Sequence, residues 1–593
     1  MFTVAACSQA AKAVVCILAA LAMADSLASE HSEFDAYLLA PYRAAPAGPA
    51  SAARTFTLYF AYPEVSREQA VAWQLDLLSP FGKTVRHWSG ARRLFEHPLT
   101  LNIQWDGRIK GRLPPAGNYR LRLRATARDA GPSAEPKPAR RKPGRHAGEL
   151  PADPDRQAVL IEQQWDIGVG PASPSAIPAF QPLPGRVTAA AAGNGPEPPA
   201  AALAAAASAA DLPYTVYYGN LHSHSNHSDG GGALATCHGA QAPQHGAYGP
   251  ADAYAYALGH GLDFLVTSEH NHLYDGSDGT DALADPAAAK ALYHSGLAAA
   301  QAFNAAHEDF LAVYGDEWGV IKRGGHLNIF NGAELPGWEY NAEHALLADV
   351  LTPKGDYAAL YTLMRERGWL GQFNHPAPNG QFRAANADLG YTADGDQVMA
   401  LCEVMNSAAF SSNTSETEVH RSNYEAACNK ALEAGYHLAF SSDQDNHCAN
   451  WGASYGNRTG LLIPQGMPLT PASLIQAIRA RRLFATMDKH GQLVLTANGH
   501  LMGERFGNSG PLRLTVHFAN TAGRRAASLS LMEGVPGRNG TVSLLSSSAD
   551  TTVTPAAGAH FYYARLVQDD GNILWSAPLW VDQAAEAAVL NLP

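Results

Sequence analysis

Short apolar runs between residues 214 and 447, each followed by residues that can bind a metal ion, constrain the fold more than any other feature. In chain order, the residues at the ends of these runs are His222 and His224, Glu269 and His270, Glu317, His375, Glu403, and Asp445 with His447. Buried strands that carry functional residues at their carboxyl ends are typical of a parallel β/α barrel, whose active site collects at that end. The pattern therefore predicts a β/α barrel with one polar site.

Stretches with a helical pattern separate these runs. They lie at 250–260, 286–307, 358–368 and 423–435, and prolines at 250, 286 and 471 suit the first turn of a helix. Right-handed strand–helix–strand connections bring the strand ends to one face of the fold. His326 differs because it begins its apolar run, at 325–330, instead of following it.

The residue types at these strand ends indicate metal chemistry. In an extended segment, the two side chains of His222 and His224 lie on the same face. Imidazoles combined with carboxylates suit Zn²⁺ or Mn²⁺, with Fe²⁺ as a third choice, whereas Mg²⁺ and Ca²⁺ prefer oxygen donors alone. More than four such ligands exceed one tetrahedral site, so two or three divalent ions bridged by a carboxylate are expected.

Composition supports a local site and argues against a nucleic-acid-binding surface. Sixteen of the 24 histidines lie between His222 and His447. The net charge is −12, from 42 basic and 54 acidic residues, which disfavours a nucleic acid as partner. We therefore expect a small-molecule substrate.

The strand-end motifs resemble those of the polymerase and histidinol phosphatase (PHP) superfamily of metallohydrolases over about half of the chain. The family's His-x-His and Ser-Asp-Gly motif matches 222–224 and 228–230, and its acidic-His motif matches 269–270. Its His-Pro matches 375–376 and its final Asp-x-His matches 445–447. The segment 475–488 looks like the helix and strand that end secreted members related to carbaryl hydrolases.

The resemblance implies a distorted (β/α)7 barrel over 213–490 that holds two or three divalent ions. The implied ligands are His222, His224, Asp229, His270, Glu317, His326, His375, Asp445 and His447, with Glu317 as the bridge. Glu317, Asp445 and Glu403 are the candidate catalytic residues, although Glu403 is equally compatible with orienting a ligand imidazole. The sequence also offers Asp443 and His272 beside two of the motifs, and the Asp-x-His spacing favours Asp445 over Asp443.

The same resemblance implies the reaction. A metal-bound hydroxide would be the nucleophile, and the most favoured function is an exported phosphoesterase acting on a small anionic ester. Hydrolysis of a carbamate or carboxylic ester by the same site is an alternative. A metal-dependent binding module without activity is a second alternative, which the intact ligand set disfavours.

Two β-rich regions flank the predicted barrel. Residues 32–169 alternate in hydrophobicity at 55–60, 99–103 and 119–123, and the motif around 105–119 resembles a hairpin of bacterial immunoglobulin-like domains. A basic, proline-rich loop near 128–155 interrupts this region, and an Ala/Pro-rich linker at 170–212 follows it. Residues 497–593 again predict a small β-sandwich. The whole chain is thus expected to be multi-domain.

The first 28 residues predict a cleavable signal peptide and therefore a periplasmic or secreted protein. Lys12 precedes an apolar run at 13–24, which is shorter than the roughly 20 residues that a membrane-spanning helix requires. No other segment resembles a membrane span. Cys237, Cys402, Cys428 and Cys448 remain after removal of the signal, and they allow two disulfides in any of three pairings.

Overall fold

The computed structural model describes residues 34–44, 52–62, 67–95, 97–130, 159–170, 177, 180–185, 212–320 and 324–585. The predicted signal at 1–28 lies outside these residues, as do most of the predicted loop at 128–155 and most of the linker at 170–212. The described chain is multi-domain and mostly β, with its strands gathered in several sheets.

Seven strands form the N-terminal module, which we define as residues 34–170. They are β1 (Asp35–Leu39), β2 (Arg54–Ala61), β3 (Gln69–Leu78), β4 (Thr84–Leu94), β5 (Leu99–Trp105), β6 (Gly117–Asp129) and β7 (Val159–Val169). Strands β1, β2 and β5 form one sheet, and β4, β3, β6 and β7 form another. Alternate residues such as Phe56 and Leu58 of β2 are buried in one core with Leu75 and Leu121 of the second sheet. The strands of this module thus lie where the alternating hydrophobicity of the sequence predicted them.

The central region carries the candidate site. Its strands are β8 (Tyr214–Asn220), β9 (Phe264–His270), β10 (Leu311–Val320), β11 (Gly325–Ile329), β12 (Pro336–Gly337), β13 (Val350–Leu351), β14 (Gly371–Phe373), β15 (Met399–Ser407), β16 (Arg421–Asn423), β17 (Ala439–Asp443), β18 (Arg458–Pro464) and β19 (Leu483–Thr486). Its helices are α1 (Pro250–Gly259), α2 (Pro286–Ala306), α3 (Tyr357–Arg367), α4 (Ala393–Val398), α5 (Glu425–Ala434) and α6 (Pro471–Arg479).

Local sequence signals explain these helix ends. Pro250, Pro286 and Pro471 each begin a helix, as predicted. Helix α5 ends at Gly435, whose φ of 118° lies in the left-handed region that favours glycine. The four helices expected from the pattern correspond to α1, α2, α3 and α5, with ends that differ by one or two residues.

The C-terminal strands complete the fold. They are β20 (Gly491–Ala497), β21 (His500–Leu501), β22 (Arg505–Asn508), β23 (Leu512–Asn520), β24 (Ala526–Gly534), β25 (Ser543–Ser546), β26 (Asp550–Val553), β27 (Gly558–Gln568), β28 (Ile573–Ser576) and β29 (Leu579–Gln583). Strand β20 starts at Gly491, ahead of the position 497 from which the sequence predicted this module. Strands β21, β20, β23 and β26 form a separate sheet.

The central and C-terminal strands share one 16-stranded sheet. Its main order is β16-β15-β14-β11-β10-β9-β8-β18-β19-β28-β27-β24-β25, and β17 pairs with β15. The pairing of β19 with β28 joins the central region to the C-terminal one through backbone hydrogen bonds. This continuity was not predicted, because strand pairing between distant segments depends on tertiary packing.

The central part of the sheet is mixed instead of wholly parallel. The pairs β8–β9, β9–β10, β14–β15 and β15–β17 are parallel, whereas β11 runs antiparallel to β10 and β14. Only a short connection separates Val320 from Gly325, and a parallel partner would require a crossover of a dozen or more residues. An antiparallel β11 brings its first residues to the edge where its neighbours end, which explains why His326 begins its strand.

Two disulfides cross-link residues of the central region. Cys237 is bonded to Cys448 and Cys402 to Cys428, which selects one of the three pairings that the sequence left open. Within the described residues, no helix has both the length and the hydrophobicity needed to cross a membrane.

Candidate metal centre

The nine residues expected to bind metal lie together in one cluster, which we call the His/carboxylate cluster. Its members are His222, His224, Asp229, His270, Glu317, His326, His375, Asp445 and His447, and all except His375 are buried. Three overlapping groups within it offer ligand atoms that lie within 4.8 Å of one another. These groups are His222, His224, Glu317 and Asp445; His224, Asp229, His270 and His447; and His270, Glu317 and His326.

Extended pairing between two strand ends aligns the first and last motifs. The chain that follows β8 lies beside the chain that follows β17, and Ser223 forms a parallel bridge with Asn446. The backbone N–H of His224 donates to the carbonyl of Asn446 at 2.8 Å, and that of Asp445 donates to the carbonyl of His222 at 3.0 Å. Motifs more than 220 positions apart in sequence therefore become adjacent.

Four side-chain atoms converge at the centre of the cluster. Nε2 of His222 lies 3.1 Å from Oε2 of Glu317 and 3.1 Å from Oδ1 of Asp445. Nε2 of His224 lies at the same distances from the same two oxygens. Ligand atoms bound to one tetrahedral Zn²⁺ at about 2.0–2.1 Å are separated by about 3.3 Å, so this spacing suits a metal ion.

Glu317 contacts histidines through both of its carboxylate oxygens. Nδ1 of His270 lies 3.4 Å from Oε2, and Nδ1 of His326 lies 3.5 Å from Oε1. Nε2 of His375 lies 3.4 Å from Oε1. Both carboxylate oxygens of Glu317 thus lie close to imidazole nitrogens.

Asp229 forms the far side of the cluster. Its Oδ1 lies 3.5 Å from Nε2 of His447 and 3.8 Å from Nε2 of His270. The turn that carries Asp229 requires small residues, since a Cβ on Gly230 would lie 2.6 Å from backbone and Cβ atoms of His224. The Ser-Asp-Gly sequence thus places a carboxylate close to the His-x-His pair.

The residues present fit divalent metal ions. Within the described chain, the ion pairs of Glu317 and Asp445 are with histidines alone, and both carboxylates are buried. Buried carboxylates are strongly unfavourable unless a positive charge compensates them. Gly319 leaves room for the imidazole ring of His326, because a Cβ at position 319 would lie 2.0 Å from Cδ2 of that ring.

The electrostatics of the cluster agree with this fit. Burial lowers the pKa of His224, but hydrogen bonds and charges from Asp445 and Glu317 outweigh it and raise that pKa to about 10. Burial raises the pKa of Glu317, but the charges of His222, His270 and His326 hold it well below its ordinary value. The carboxylates thus retain protons on the imidazoles, and metal binding at such sites displaces protons.

Two further side chains contact members of the cluster. Oε1 of Glu403 lies 3.3 Å from Nδ1 of His222, and its Oε2 accepts the backbone N–H of His375 at 2.6 Å. Asn374, which sequence reasoning missed, donates from Nδ2 to Oε1 of Glu317 and to Oδ1 of Asn328, both at 2.7 Å. The position of Asn374 directly before the His-Pro motif was the one available signal.

Glu269 fixes the turn between His224 and Asp229. Its carboxylate accepts the backbone N–H of Ser225 at 3.0 and 3.1 Å, the hydroxyl of Ser225 at 2.5 Å and that of Ser228 at 2.6 Å. The acidic residue of the acidic-His motif therefore orders a ligand-bearing turn, while its neighbour His270 faces the cluster.

Two residues of the cluster have unusual backbone conformations. His375 has a φ of 27° and Asp445 a φ of 51°, both in the left-handed region that residues other than glycine rarely adopt. Each such residue costs on the order of 1–3 kcal/mol, and such strain concentrates at functional sites. The surrounding hydrogen bonds, including those to Glu403 and to His222, hold these two residues in place.

Asp443, the alternative to Asp445, has a different environment. Oδ1 of Asp443 accepts the backbone N–H of Leu221 at 2.7 Å and contacts Thr459 at 3.2 Å, so it holds strands together. His272 belongs to none of the three groups found among the described residues. Its ring lies 5.8 Å from that of Trp338 and 6.1 Å from that of His270.

Comparisons with known proteins do not identify a family. No family model and no curated protein matches this chain. Similar solved structures include a Bacteroides uniformis β-glucuronidase at 8% identity, which covers 93% of this chain and 61% of that protein, with a TM-score of 0.14. A putative β-galactosidase from Bacteroides fragilis has 8% identity, covers 94% and 74%, and has a TM-score of 0.14. A Parabacteroides merdae β-glucuronidase has 10% identity, covers 93% and 65%, and has a TM-score of 0.15.

These TM-scores do not show a shared fold. The chain spans 61% of the length of the Bacteroides uniformis enzyme and 65% of that of the Parabacteroides merdae enzyme. The similarity to these structures is therefore no evidence about the reaction of this chain.

Proposed function

We propose that this protein is an exported metal-dependent hydrolase of the PHP type, and that it cleaves phosphate esters of small molecules. The central strands and helices would correspond to a distorted (β/α)7 barrel of that superfamily. The convergence of all nine predicted ligands on one cluster is the observation that carries the proposal. The two disulfides are compatible with export, because disulfides persist in oxidising compartments.

The donor set indicates which residues would hold the ions. The three groups within the cluster supply imidazoles and carboxylates in the mixture that suits Zn²⁺, Mn²⁺ or Fe²⁺. Bound ions would supply Lewis-acid activation of water and of the ester, together with positive charge that attracts an anionic substrate. Glu317, which contacts histidines through both oxygens, would link neighbouring ion sites.

The protein's own residues would orient the reactants. Nε2 of His375 and Oδ2 of Asp445 lie 4.0 Å apart, and these two residues have the most exposed side chains of the cluster. A water molecule and the substrate would approach the cluster past these two side chains. Glu403 and Asn374 would keep His222 and Glu317 in fixed orientations during this step.

An ester screen tests the proposal. The purified protein is loaded with Mn²⁺ or Zn²⁺ and assayed with p-nitrophenyl phosphate, bis-p-nitrophenyl phosphate, p-nitrophenyl acetate and a p-nitrophenyl carbamate. We expect metal-dependent turnover of a phosphate ester that exceeds turnover of the acetate and the carbamate. Preferred cleavage of the acetate or carbamate would refute the phosphoesterase assignment, and a metal-loaded protein that cleaves none of the esters would refute the hydrolase.

A double variant tests the site itself. His222→Ala/His224→Ala removes two ligands that lie at the centre of the cluster, so metal content and turnover should both fall at least tenfold. The matched control is His294→Ala/His500→Ala, which removes two partly exposed histidines outside the cluster and should leave both quantities unchanged. Equal metal content in the double variant and the wild type would show that the cluster is not the metal site.

A further inference from the structure

The turn after β3 and the loop before β6 lie side by side at one end of the N-terminal module. Strands β3 and β6 are antiparallel, and Leu78 at the end of β3 is opposite Arg120 near the start of β6. A Cβ on Gly117 would lie 3.1 Å from Cγ of Pro80, which shows how closely the two segments approach. We call the segments 79–86 and 105–116 together the basic tip.

Two apolar side chains of the basic tip are exposed to solvent. Phe81 is 93% exposed and Leu113 is 51% exposed. The turn that carries Phe81 is closed by the backbone N–H of Gly82, which donates to the carbonyl of Ser79 at 2.8 Å. Apolar surface in water is unfavourable, and burial in another phase or against a partner recovers that free energy. The tip thus presents apolar groups on a closed turn for such a contact.

The same segments are basic, although the whole chain is acidic. They contain five lysine or arginine residues and one carboxylate, whereas the net charge of the chain is −12. The carboxylate is Asp106, whose Oδ1 accepts the backbone N–H of Arg108 at 3.0 Å. The five cations are exposed and form no ion pair with a described residue; they are Lys83, Arg86, Arg108, Lys110 and Arg112. Positive charge gathered in one place attracts an anionic partner.

The loop before β6 holds three of these cations on a tight turn. Lys110 and Gly111 form its two central residues, with φ values of 49° and 78°. The backbone N–H and carbonyl groups of Ile109 and Arg112 exchange hydrogen bonds at 2.9 and 3.1 Å across this turn. Binding by a turn that is already closed costs little further backbone entropy.

Each sheet of the N-terminal module has one edge strand next to the central region and another on the opposite side. The ring of Tyr37 in β1 lies 5.7 Å from that of His420, and Oε1 of Gln163 in β7 accepts the backbone N–H of Asn423 at 2.8 Å. The opposite edge strands are β5 and β4. The basic tip includes the loop after β5 and the first residues of β4, so it belongs to the side turned away from the central region.

We propose that the basic tip attaches the protein to an anionic lipid surface. Phe81 and Leu113 would enter the interfacial layer, while the five cations would contact the headgroup phosphates. A lipid surface provides both a negative potential and an apolar phase, and proteins bind it through the combination of these two terms. A soluble polyanion would satisfy the cations but would leave the ring of Phe81 in water. This attachment does not depend on the proposed hydrolase activity.

Vesicle sedimentation tests the proposal. The exported protein, from which the predicted signal at 1–28 has been removed, is mixed with vesicles of phosphatidylcholine alone or of phosphatidylcholine and phosphatidylglycerol in equal parts. We expect binding to the anionic vesicles and little binding to the neutral ones. Raising the salt from about 0.1 M to about 1 M shortens the Debye length from about 10 Å to about 3 Å, and it should weaken the binding.

A charge variant tests the cations of the loop. Arg108→Gln/Lys110→Gln/Arg112→Gln should lower the partition coefficient on anionic vesicles about 100-fold, because each cation at such a surface contributes about fivefold. The matched control is the exposed set Arg524→Gln/Arg525→Gln/Arg538→Gln of the C-terminal module. The control changes the net charge by the same amount, and it should bind as the wild type does.

Two variants test the apolar part of the contact. Phe81→Ser should lower the partition coefficient about 5- to 10-fold. Leu283→Ser, at an 89% exposed position of the central region, is the matched control and should have no effect. Phe81→Trp places a fluorophore at the same position, and its emission should be quenched by vesicles that contain brominated lipid. Circular dichroism confirms that each variant remains folded.

Each alternative partner predicts a different result. Equal binding to neutral and anionic vesicles, or binding to neither, would overturn the proposal. Binding of heparin without binding of anionic vesicles would assign the tip to a soluble polyanion and would also overturn it. A dimer that forms without lipid and that Phe81→Ser dissociates would make the tip an interface between two copies. Vesicle binding that both Phe81→Ser and the triple loop variant leave unchanged would place the lipid contact elsewhere on the protein.

Discussion

Glu403 holds His222 in place, since its Oε1 lies 3.3 Å from Nδ1 of that histidine while Nε2 faces Glu317 and Asp445. The second oxygen of Glu403 accepts the backbone N–H of His375 at 2.6 Å. One buried carboxylate therefore orients two members of the cluster without joining any of its three ligand groups. Carboxylates that bind the outer nitrogen of a ligand imidazole fix both its tautomer and its orientation.

Glu403→Gln should weaken metal binding by about 10- to 100-fold, the range found when such partners are removed. The substitution keeps the shape of the side chain but removes the charge that favours an N–H on Nδ1 of His222. Competition with a chromophoric chelator measures the affinity, and circular dichroism checks the fold. Glu533→Gln, in the C-terminal β24, is the matched control, and unchanged affinity in Glu403→Gln would contradict a positioning role.

Metal addition should stabilise the folded protein by mass action. At a free ion concentration of 100 times Kd, one site adds about 2.7 kcal/mol to the free energy of unfolding, which is visible as a higher melting temperature.

Glu317→Gln should lower the bound metal by at least one ion per chain, because Glu317 belongs to two of the three groups. Elemental analysis measures the stoichiometry, and wild-type metal content in this variant would exclude Glu317 as a shared ligand.

The gathering of these nine side chains in one cluster was predictable because local sequence and topology agree. Each buried run stops at a residue that can bind metal, and neighbouring strands of a β/α fold end at one edge. The pairing of Glu317 with His270 in adjacent parallel strands is a direct consequence of that rule. His326 begins its apolar run instead of following it. Because β11 is antiparallel to its neighbours, this position lies at the same edge as their carboxyl ends.

The remainder of the fold and of the site depends on contacts that local patterns do not specify. Tyr37 precedes His420 by more than 380 positions, and nothing in the alternation of β1 shows that its outer face will meet that ring. The pairing of β19 with β28 was equally hidden, since both strands are short apolar segments with many possible partners. The role of Asn374 depends on the position of the Glu317 carboxylate, which belongs to another strand.

The two disulfides should contribute different amounts to the free energy of unfolding. Cys237–Cys448 closes a segment of 211 residues and Cys402–Cys428 one of 26, so the loop-entropy model gives about 5.4 kcal/mol for the first and about 3.5 kcal/mol for the second. Cys448 also directly follows His447, a member of the cluster. Cys237→Ser/Cys448→Ser should therefore lower both the melting temperature and the metal affinity.

Cys402→Ser/Cys428→Ser is the matched comparison and should lower the melting temperature by less. The measurements are thermal unfolding followed by circular dichroism, together with chelator competition for the metal. A larger loss of stability in Cys402→Ser/Cys428→Ser than in Cys237→Ser/Cys448→Ser would contradict the loop-length argument. Unchanged metal affinity in Cys237→Ser/Cys448→Ser would show that the disulfide between Cys237 and Cys448 does not position the cluster.

Arg565 joins three parts of the chain through buried charges. Its guanidinium in β27 forms ion pairs with Asp166 of β7 and Glu425 of α5, the latter at 2.9 Å, and all three side chains are at most 3% exposed. Burial raises the pKa values of both carboxyls, but the charge of Arg565 outweighs it and leaves each below its ordinary value. Arg565→Met leaves two carboxylates buried without this partner and should cost about 3–5 kcal/mol at pH 7.

This loss should depend on pH in a defined direction. A carboxyl whose folded pKa is lowered contributes stability above its unfolded value, near 4, and loses that contribution as the pH falls through the folded value. The gap in urea midpoint between wild type and Arg565→Met should therefore be wide from pH 7 to about pH 4 and narrow as the pH falls below 4, because protonation then neutralises Asp166 and Glu425. Arg513→Met removes an exposed ion pair with Asp550 in the same module and should change the midpoint little. The triple variant Arg565→Met/Asp166→Asn/Glu425→Gln should recover part of the loss, and a gap that stays constant with pH would show that the buried charges are not its cause.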